Sequence, residues 1–286
     1  MTVISALMIT LAGCPARSGT EQPAFAQPPT DLPVSRIVLP FDAYRLGPHE
    51  RGLLERAHRV MTERCMQARG LGQALRAMPP VRDDPPEHAR RYGVAEEAVA
   101  HRYGYHYPSS AADDSRAAQL ARWETTLSAR ELSALDGTTA RPGCWTQATA
   151  LLTPSPPQAD LRWLETSNFR TVNESATHPT TLKAQTAWRM CMRQAGFDYT
   201  TPLAASSERR WKLDTRLITS QERATAVADV RCKHRSGLIT AWLTAETVLQ
   251  TAAITQHKDR FTRIGNYRRT QLARAQRLST RQESWG

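Results

Sequence analysis

Apolar residues recur every three or four positions along much of this chain and seldom alternate with a period of two, so the pattern predicts a mostly α protein with little or no sheet. The first clear segment runs from Glu50 to Arg69, where Leu53, Leu54, Ala57, Val60, Met61, Cys65 and Met66 share a side. Pro79, Pro80, Pro85 and Pro86 break the chain, and Glu87 to Arg102 then reads as a shorter helix ending near Gly104. Ser128 and Glu131 form a capping box opening a helix that stops at Gly137, and Gly143-Cys144 begins a helical stretch to Leu152. Pro154, Pro156 and Pro157 mark the clearest boundary. Leu161 to Thr180 is ambiguous, Thr181 to Gln194 is helical, and Gly196 to Leu217 is irregular. The last segment opens with a second capping box, Thr219 and Glu222. From Ala224 to Leu278 its apolar residues mostly keep helical spacing, and no proline follows Pro202. Unbroken to Thr280 it would be a helix of roughly 90 Å. Gly237 and Gly265-Asn266 are its weak points, where a kink or a helical hairpin is the alternative.

The cysteines add constraints. The chain has five, at positions 14, 65, 144, 191 and 232, with no C-x-x-C pair to suggest a zinc or thioredoxin-type site. The window around Cys65-Met66 is echoed around Cys191-Met192. Both read C-M-x-x-x-G followed by a large apolar residue, Leu71 or Phe197, with Gly70 and Gly196 placed as left-handed helix caps. Each echo has one later cysteine. Four cysteines allow three connectivities, and the repeat selects Cys65–Cys144 and Cys191–Cys232, one bridge in each of two consecutive helical modules. Loops of that size are worth about 4 kcal/mol each in the chain-entropy model.

The N-terminus sets a compartment. Val3 to Ala12 is an apolar run too short to span a bilayer, and it closes on Leu11-Ala12-Gly13-Cys14, the form of a bacterial lipobox whose cysteine takes a diacylglycerol on its thiol. No Lys or Arg precedes the run, although export signals usually carry one. Between Pro15 and Pro40 six prolines lie among Gly, Ser, Thr and Gln, a semi-rigid tether of about 30 Å or more. The chain thus divides into a signal peptide over 1–13, the lipidated Cys14 and tether over 14–41, a first helical module over 42–153, and a second over 154–286 with a long basic C-terminal helix.

The 286 residues carry 38 Lys and Arg against 27 Asp and Glu, a formal charge of +11. Only four of those cations are lysine. Residues 15–155 are nearly neutral at +1, whereas 156–286 carry +10. The tail concentrates Arg260, Arg263, Arg268, Arg274, Arg277 and Arg281 beside an apolar side of Phe261, Ile264, Leu272, Ala275 and Leu278. Such a helix fits an anionic lipid surface or wall polymer, or is simply a solvated face. Outside the cell nucleic acid is not the expected partner.

Catalytic signatures are missing. The sequence has no G-x-S-x-G, H-E-x-x-H, P-loop or dinucleotide fingerprint. His101 and His106 do not share a helical face, and the neighbouring carboxylates Asp113-Asp114 and Glu96-Glu97 diverge on a helix. Tyr92, Tyr103, Tyr105 and Tyr107 either stack on sugars or pack the first module around its bridge. No cofactor and no metal site is expected.

Taken together, the lipobox at Cys14, the Cys65-Met66 and Cys191-Met192 motifs, Arg91-Tyr92-Gly93 with Gly104-Tyr105, Gly143-Cys144, and the stretch from Ala228-Asp229 through Cys232-Lys233 to Gly237-Leu238 resemble a group of actinobacterial secreted lipoproteins. The resemblance spans most of the mature chain and carries no activity with it. The expectation is a non-catalytic lipoprotein on the extracytoplasmic face of the cell membrane, binding an envelope component or a membrane-protein partner. The rivals are a transporter's solute-binding lipoprotein, which needs two α/β lobes, and a wall-active hydrolase, which needs converging acid–base groups.

Overall fold

The computed structural model describes residues 37–80, 87–107, 111–153 and 155–280. The proposed leader, Cys14 and most of the tether lie outside these residues, as does Arg281. The described residues hold eleven α-helices and one small antiparallel hairpin. After a 3₁₀ turn at Pro40–Tyr44 come α1 (Pro48–Ala68), α2 (Glu97–Tyr103), α3 (Ala111–Thr126) and α4 (Ala129–Asp136). Strands β1 (Gly137–Thr138) and β2 (Arg141–Pro142) lead into α5 (Cys144–Leu152). Then follow α6 (Gln158–Ala176), α7 (Pro179–Gln194), α8 (Pro202–Ser206), a 3₁₀ turn at Arg209–Trp211, α9 (Ser220–Arg235), α10 (Leu238–Gln256) and α11 (Lys258–Thr280).

Local chemistry explains many of the boundaries. Pro48 occupies the first turn of α1, and the Glu50 carboxylate accepts from the Gly47 N–H at 2.9 Å. The two echoed motifs end their helices in the same way. Gly70 and Gly196 take positive φ of 73° and 87°. Leu71 N–H then reaches back to Met66 C=O at 2.8 Å, as Phe197 N–H does to Met192 C=O at 2.9 Å. Ser128 and Glu131 form the expected capping box on α4.

Two expectations are corrected, and one stretch left open is resolved. Glu87 to Gly93 is a series of turns, and only Glu97–Tyr103 is helical. Gly93 takes φ +78°. Beyond it the Val94 and Ala95 carbonyls accept from Lys233 Nζ and His234 Nε2, outside any helix. The ambiguous stretch from Leu161 is helical throughout α6. The C-terminal segment breaks at Gly237 and at His257, not at Gly265-Asn266. Gly265 lies inside α11, buried with the Tyr44 ring alongside.

Both disulfides, Cys65–Cys144 and Cys191–Cys232, are formed, each with Cα atoms 5.6 Å apart. The cores, by contrast, run across the chain. α1 packs on α5 and α11, α2 on α9, and α10 on α6 and α7. Val94, Ala100 and Tyr105 share one core with Trp188, Met192, Trp211, Val230 and the Cys191–Cys232 bridge. Met66, Leu75, Trp123 and Leu135 surround the other bridge. The described residues of 42–153 and of 154–286 are therefore interlocked through shared cores, while each bridge stays within its own stretch of sequence.

Candidate functional site

A cleft of about 740 Å³ is lined in part by Gln147, whose Oε1 lies 3.7 Å from the Cys65 sulfur of the first bridge. Its walls come from four local structures. The cap after α1 brings Arg69, α4 brings Arg130 and Ser133, the β1–β2 hairpin brings Thr138 and Arg141, and the first turn of α5 brings Gln147. The hairpin folds back onto α4 only because two glycines permit it. Gly137 has φ +88°, and a Cβ there would lie 2.2 Å from the Gly143 nitrogen. A Cβ on Gly143 would lie 2.2 Å from the Leu135 carbonyl oxygen. Arg69 Nη1 donates to the Ala134 carbonyl at 3.2 Å, and Gln147 Nε2 donates to the Pro142 carbonyl at 2.9 Å. Three arginines thus line one cavity with no acidic residue among its lining residues.

That cation surplus differs from the treatment of charge elsewhere in the fold. Arg91 is paired with the fully buried Glu246, which also accepts from Tyr92 Oη at 2.9 Å, Thr171 Oγ1 at 3.0 Å and Gln250 Nε2 at 2.9 Å. Lys233 Nζ lies 2.8 Å from Asp229 Oδ2 and donates to the Val94 carbonyl, and Trp188 Nε1 donates to Asp229 Oδ1 at 2.9 Å. Burial pushes the Asp229 carboxyl above its ordinary value against the pull of Lys233 and of Trp188. The polar residues of the Arg91-Tyr92 and Asp229…Lys233 motifs are thus bound into the architecture.

The sequence-identified candidates fall as follows. Cys65, Cys144, Cys191 and Cys232 form the two expected bridges. The arginines of α11 do not form a free basic face. Arg260 and Arg263 both pair with Asp160, at 2.9 and 2.7 Å, and Arg260 also sits over the Trp163 ring. Hydrogen bonding by Arg263 holds the Asp160 carboxyl below its ordinary value. Arg268 is half-buried, donates to Gln271 Oε1 at 3.0 Å and has its pKa lowered by burial. Arg274 Nη1 reaches the Leu151 carbonyl at 3.4 Å. Arg277 is exposed and engaged in an interaction of its own. The apolar side of this helix is internal, with Phe261, Ile264 and Ala275 buried. That side closes the core against α1 and α6, so it is not presented to a surface.

The tyrosines also sit otherwise than the sequence implied. Tyr92 stacks on Trp242 at 5.6 Å and Tyr105 packs near Trp211, so both serve the core around α9 and α10 and not the Cys65–Cys144 bridge. Tyr107 is exposed beneath the Arg90 guanidinium. His106 is buried with Nδ1 2.8 Å from Glu222 Oε1, whereas His101 is exposed beside Glu97, so the pair does not converge. No group of three or more His, Cys, Asp or Glu suited to a metal occurs among the described residues. The side chains of Asp113 and Asp114 lie outside the described set. Arg69, Arg130 and Arg141 were not legible as a set. They are separated by up to 72 positions in sequence, and only a cap and a two-glycine hairpin bring them together.

Comparison with protein-family models, with curated proteins and with solved structures finds no match to this chain.

Proposed function

We propose that this is a non-catalytic, extracytoplasmic binding protein, held to the cell membrane by a lipid on Cys14 and binding an envelope component or a membrane-protein partner. The observation that carries the reading is the pairing of all four cysteines of the described residues into two disulfides, a state that persists in oxidising compartments. The apolar run ending at Cys14 and the proline-rich stretch after it supply the anchor and the spacer. The buried polar motifs support a non-catalytic body, since their charges are consumed in holding helices together. Of the rivals, a solute-binding lipoprotein fits poorly with a sheet of two-residue strands, and a glycoside hydrolase fits poorly with a cleft lined by no carboxylate.

Membrane fractionation of cells producing wild-type protein and Cys14→Ala tests the reading. The wild type should sediment with membranes, with a mature mass starting at an acylated Cys14, and the variant should appear in the soluble or secreted fraction. Equal membrane retention of the variant, with Met1 still present, would overturn it. No described helix is long and apolar enough to cross a membrane, so the described body offers no helical span as a second anchor.

A further inference from the structure

We propose that the cleft lined by Arg69, Arg130 and Arg141 binds a phosphate ester carried on a polyol- or sugar-sized group. The inference rests on the reading of this chain as a binding protein and names the chemistry its site accepts. Three like charges around one cavity repel one another, and no lining residue offers an opposing charge, so an anion from solution relieves the repulsion. Each guanidinium presents a planar fork of donors, and Arg69 spends only part of its fork on the Ala134 carbonyl. A carboxylate offers two oxygens in one plane and a single negative charge. A phosphate monoester presents three charged oxygens in three directions and can be held by forks arriving from α1, α4 and the hairpin together. The hydroxyls of Ser133 and Thr138 add neutral donors on the same walls.

The cavity also specifies what carries the phosphate. At about 740 Å³ it is far larger than a bare phosphate and falls within the size of small-molecule sites. Leu71, Ala134 and Pro142 provide small apolar patches among polar groups, which suits a hydroxylated carbon skeleton and not a long acyl chain. In an envelope such a group occurs either as a phospholipid headgroup or as a free or polymer-borne phosphate, and the test separates the two sources.

The full chain carrying Cys14→Ser, so that no lipid interferes, is titrated with sn-glycerol 3-phosphate, with glycerol and acetate as controls. Saturable one-to-one binding of glycerol phosphate is expected, with glycerol and acetate much weaker. The double variant Arg130→Gln/Arg141→Gln should lose affinity by about tenfold or more with an unchanged melting temperature, because both side chains are exposed. Should the double variant melt lower, Arg141→Lys alone supplies the reading: it keeps the charge, removes the fork and should weaken binding severalfold. Phosphatidylglycerol vesicles form the second arm. Vesicle binding that glycerol phosphate competes away identifies a headgroup, while glycerol phosphate binding without vesicle binding identifies a free or polymer-borne phosphate. No saturable binding up to about 10 mM, equal binding by the arginine variants, or acetate binding as tight as the phosphate overturns the proposal. Fractionation of Cys14→Ala reads only the anchor, so failure of either experiment leaves the other standing.

Discussion

Arg91 joins residues that are far apart in sequence, and its removal should be felt throughout the fold. Its guanidinium meets Glu246 on α10, and a second donor reaches Asn168 Oδ1 on α6 at 2.8 Å. Glu246 is fully buried and Arg91 nearly so, with its side chain 10% exposed. Removing the cation leaves a carboxylate in the core that cannot regain water. Arg91→Ala should therefore cost about 3–5 kcal/mol in urea denaturation at neutral pH. Arg91→Ala/Glu246→Ala should cost less than the sum of its two single variants, since the second deletion removes the orphaned charge. A loss below about 1 kcal/mol for Arg91→Ala would show the pair to be dispensable. At this scale the sequence marks which residues matter without saying how. Arg91-Tyr92-Gly93 and Asp229…Lys233 stand out as motifs, but the partners Glu246 and Val94 lie 155 and 139 positions away. Glu222 makes the same point. Thr219 caps α9 as its pattern implies, yet the Glu222 side chain turns from the cap to the Tyr105 N–H and to His106. A buried long-range bond there replaces the local one.

At the scale of elements, glycines with positive φ divide into two kinds, and substitution should separate them. Around Gly196 an added Cβ meets nothing within 4 Å, so alanine there faces only the strain of a left-handed cap. Gly196→Ala should cost about 1 kcal/mol. At Gly137 the same Cβ would lie 2.2 Å from the Gly143 nitrogen and 2.5 Å from the Arg141 carbonyl oxygen, both backbone atoms. Gly137→Ala should cost at least about 2 kcal/mol more. It should also speed amide exchange across Thr138 to Arg141, because the hairpin cannot close. Equal melting temperatures for the two variants would refute this distinction. Helix ends of the first kind are legible because the cap is local: the C-M-x-x-x-G echo gives both terminations correctly. Interruptions that depend on packing are not. Gly265 looks like a break from its residue type alone, but it lies within α11 beside Tyr44, while the break falls at His257, whose ring meets Trp163 edge-on.

For the whole molecule, shared cores and sequence-local bridges set an order of opening. Cys191 and Cys232 are both buried within the core that unites α2, α7, α9 and the Trp211 turn, so a reductant reaches them only when that core opens. Cys65 is half-buried at the end of α1, its sulfur 3.7 Å from Gln147 of the arginine-lined cleft, although its partner Cys144 is buried. A mild thiol reductant should therefore reduce Cys65–Cys144 first, in a step that keeps most of the helical circular dichroism. Loss of that bridge frees a loop of 79 residues, worth about 4 kcal/mol in the chain-entropy model. The affected part is the corner where α1, α4, the hairpin and α5 meet, so the singly reduced protein should bind glycerol phosphate more weakly while its Trp188 core stays closed. Alkylation with mass mapping, followed across a reductant series, reads the order directly. Simultaneous loss of both bridges in one cooperative unfolding step would show that the two cores cannot open separately, and the interlocking of α1 with α11 and of α2 with α9 would then govern the molecule more strongly than its bridges do.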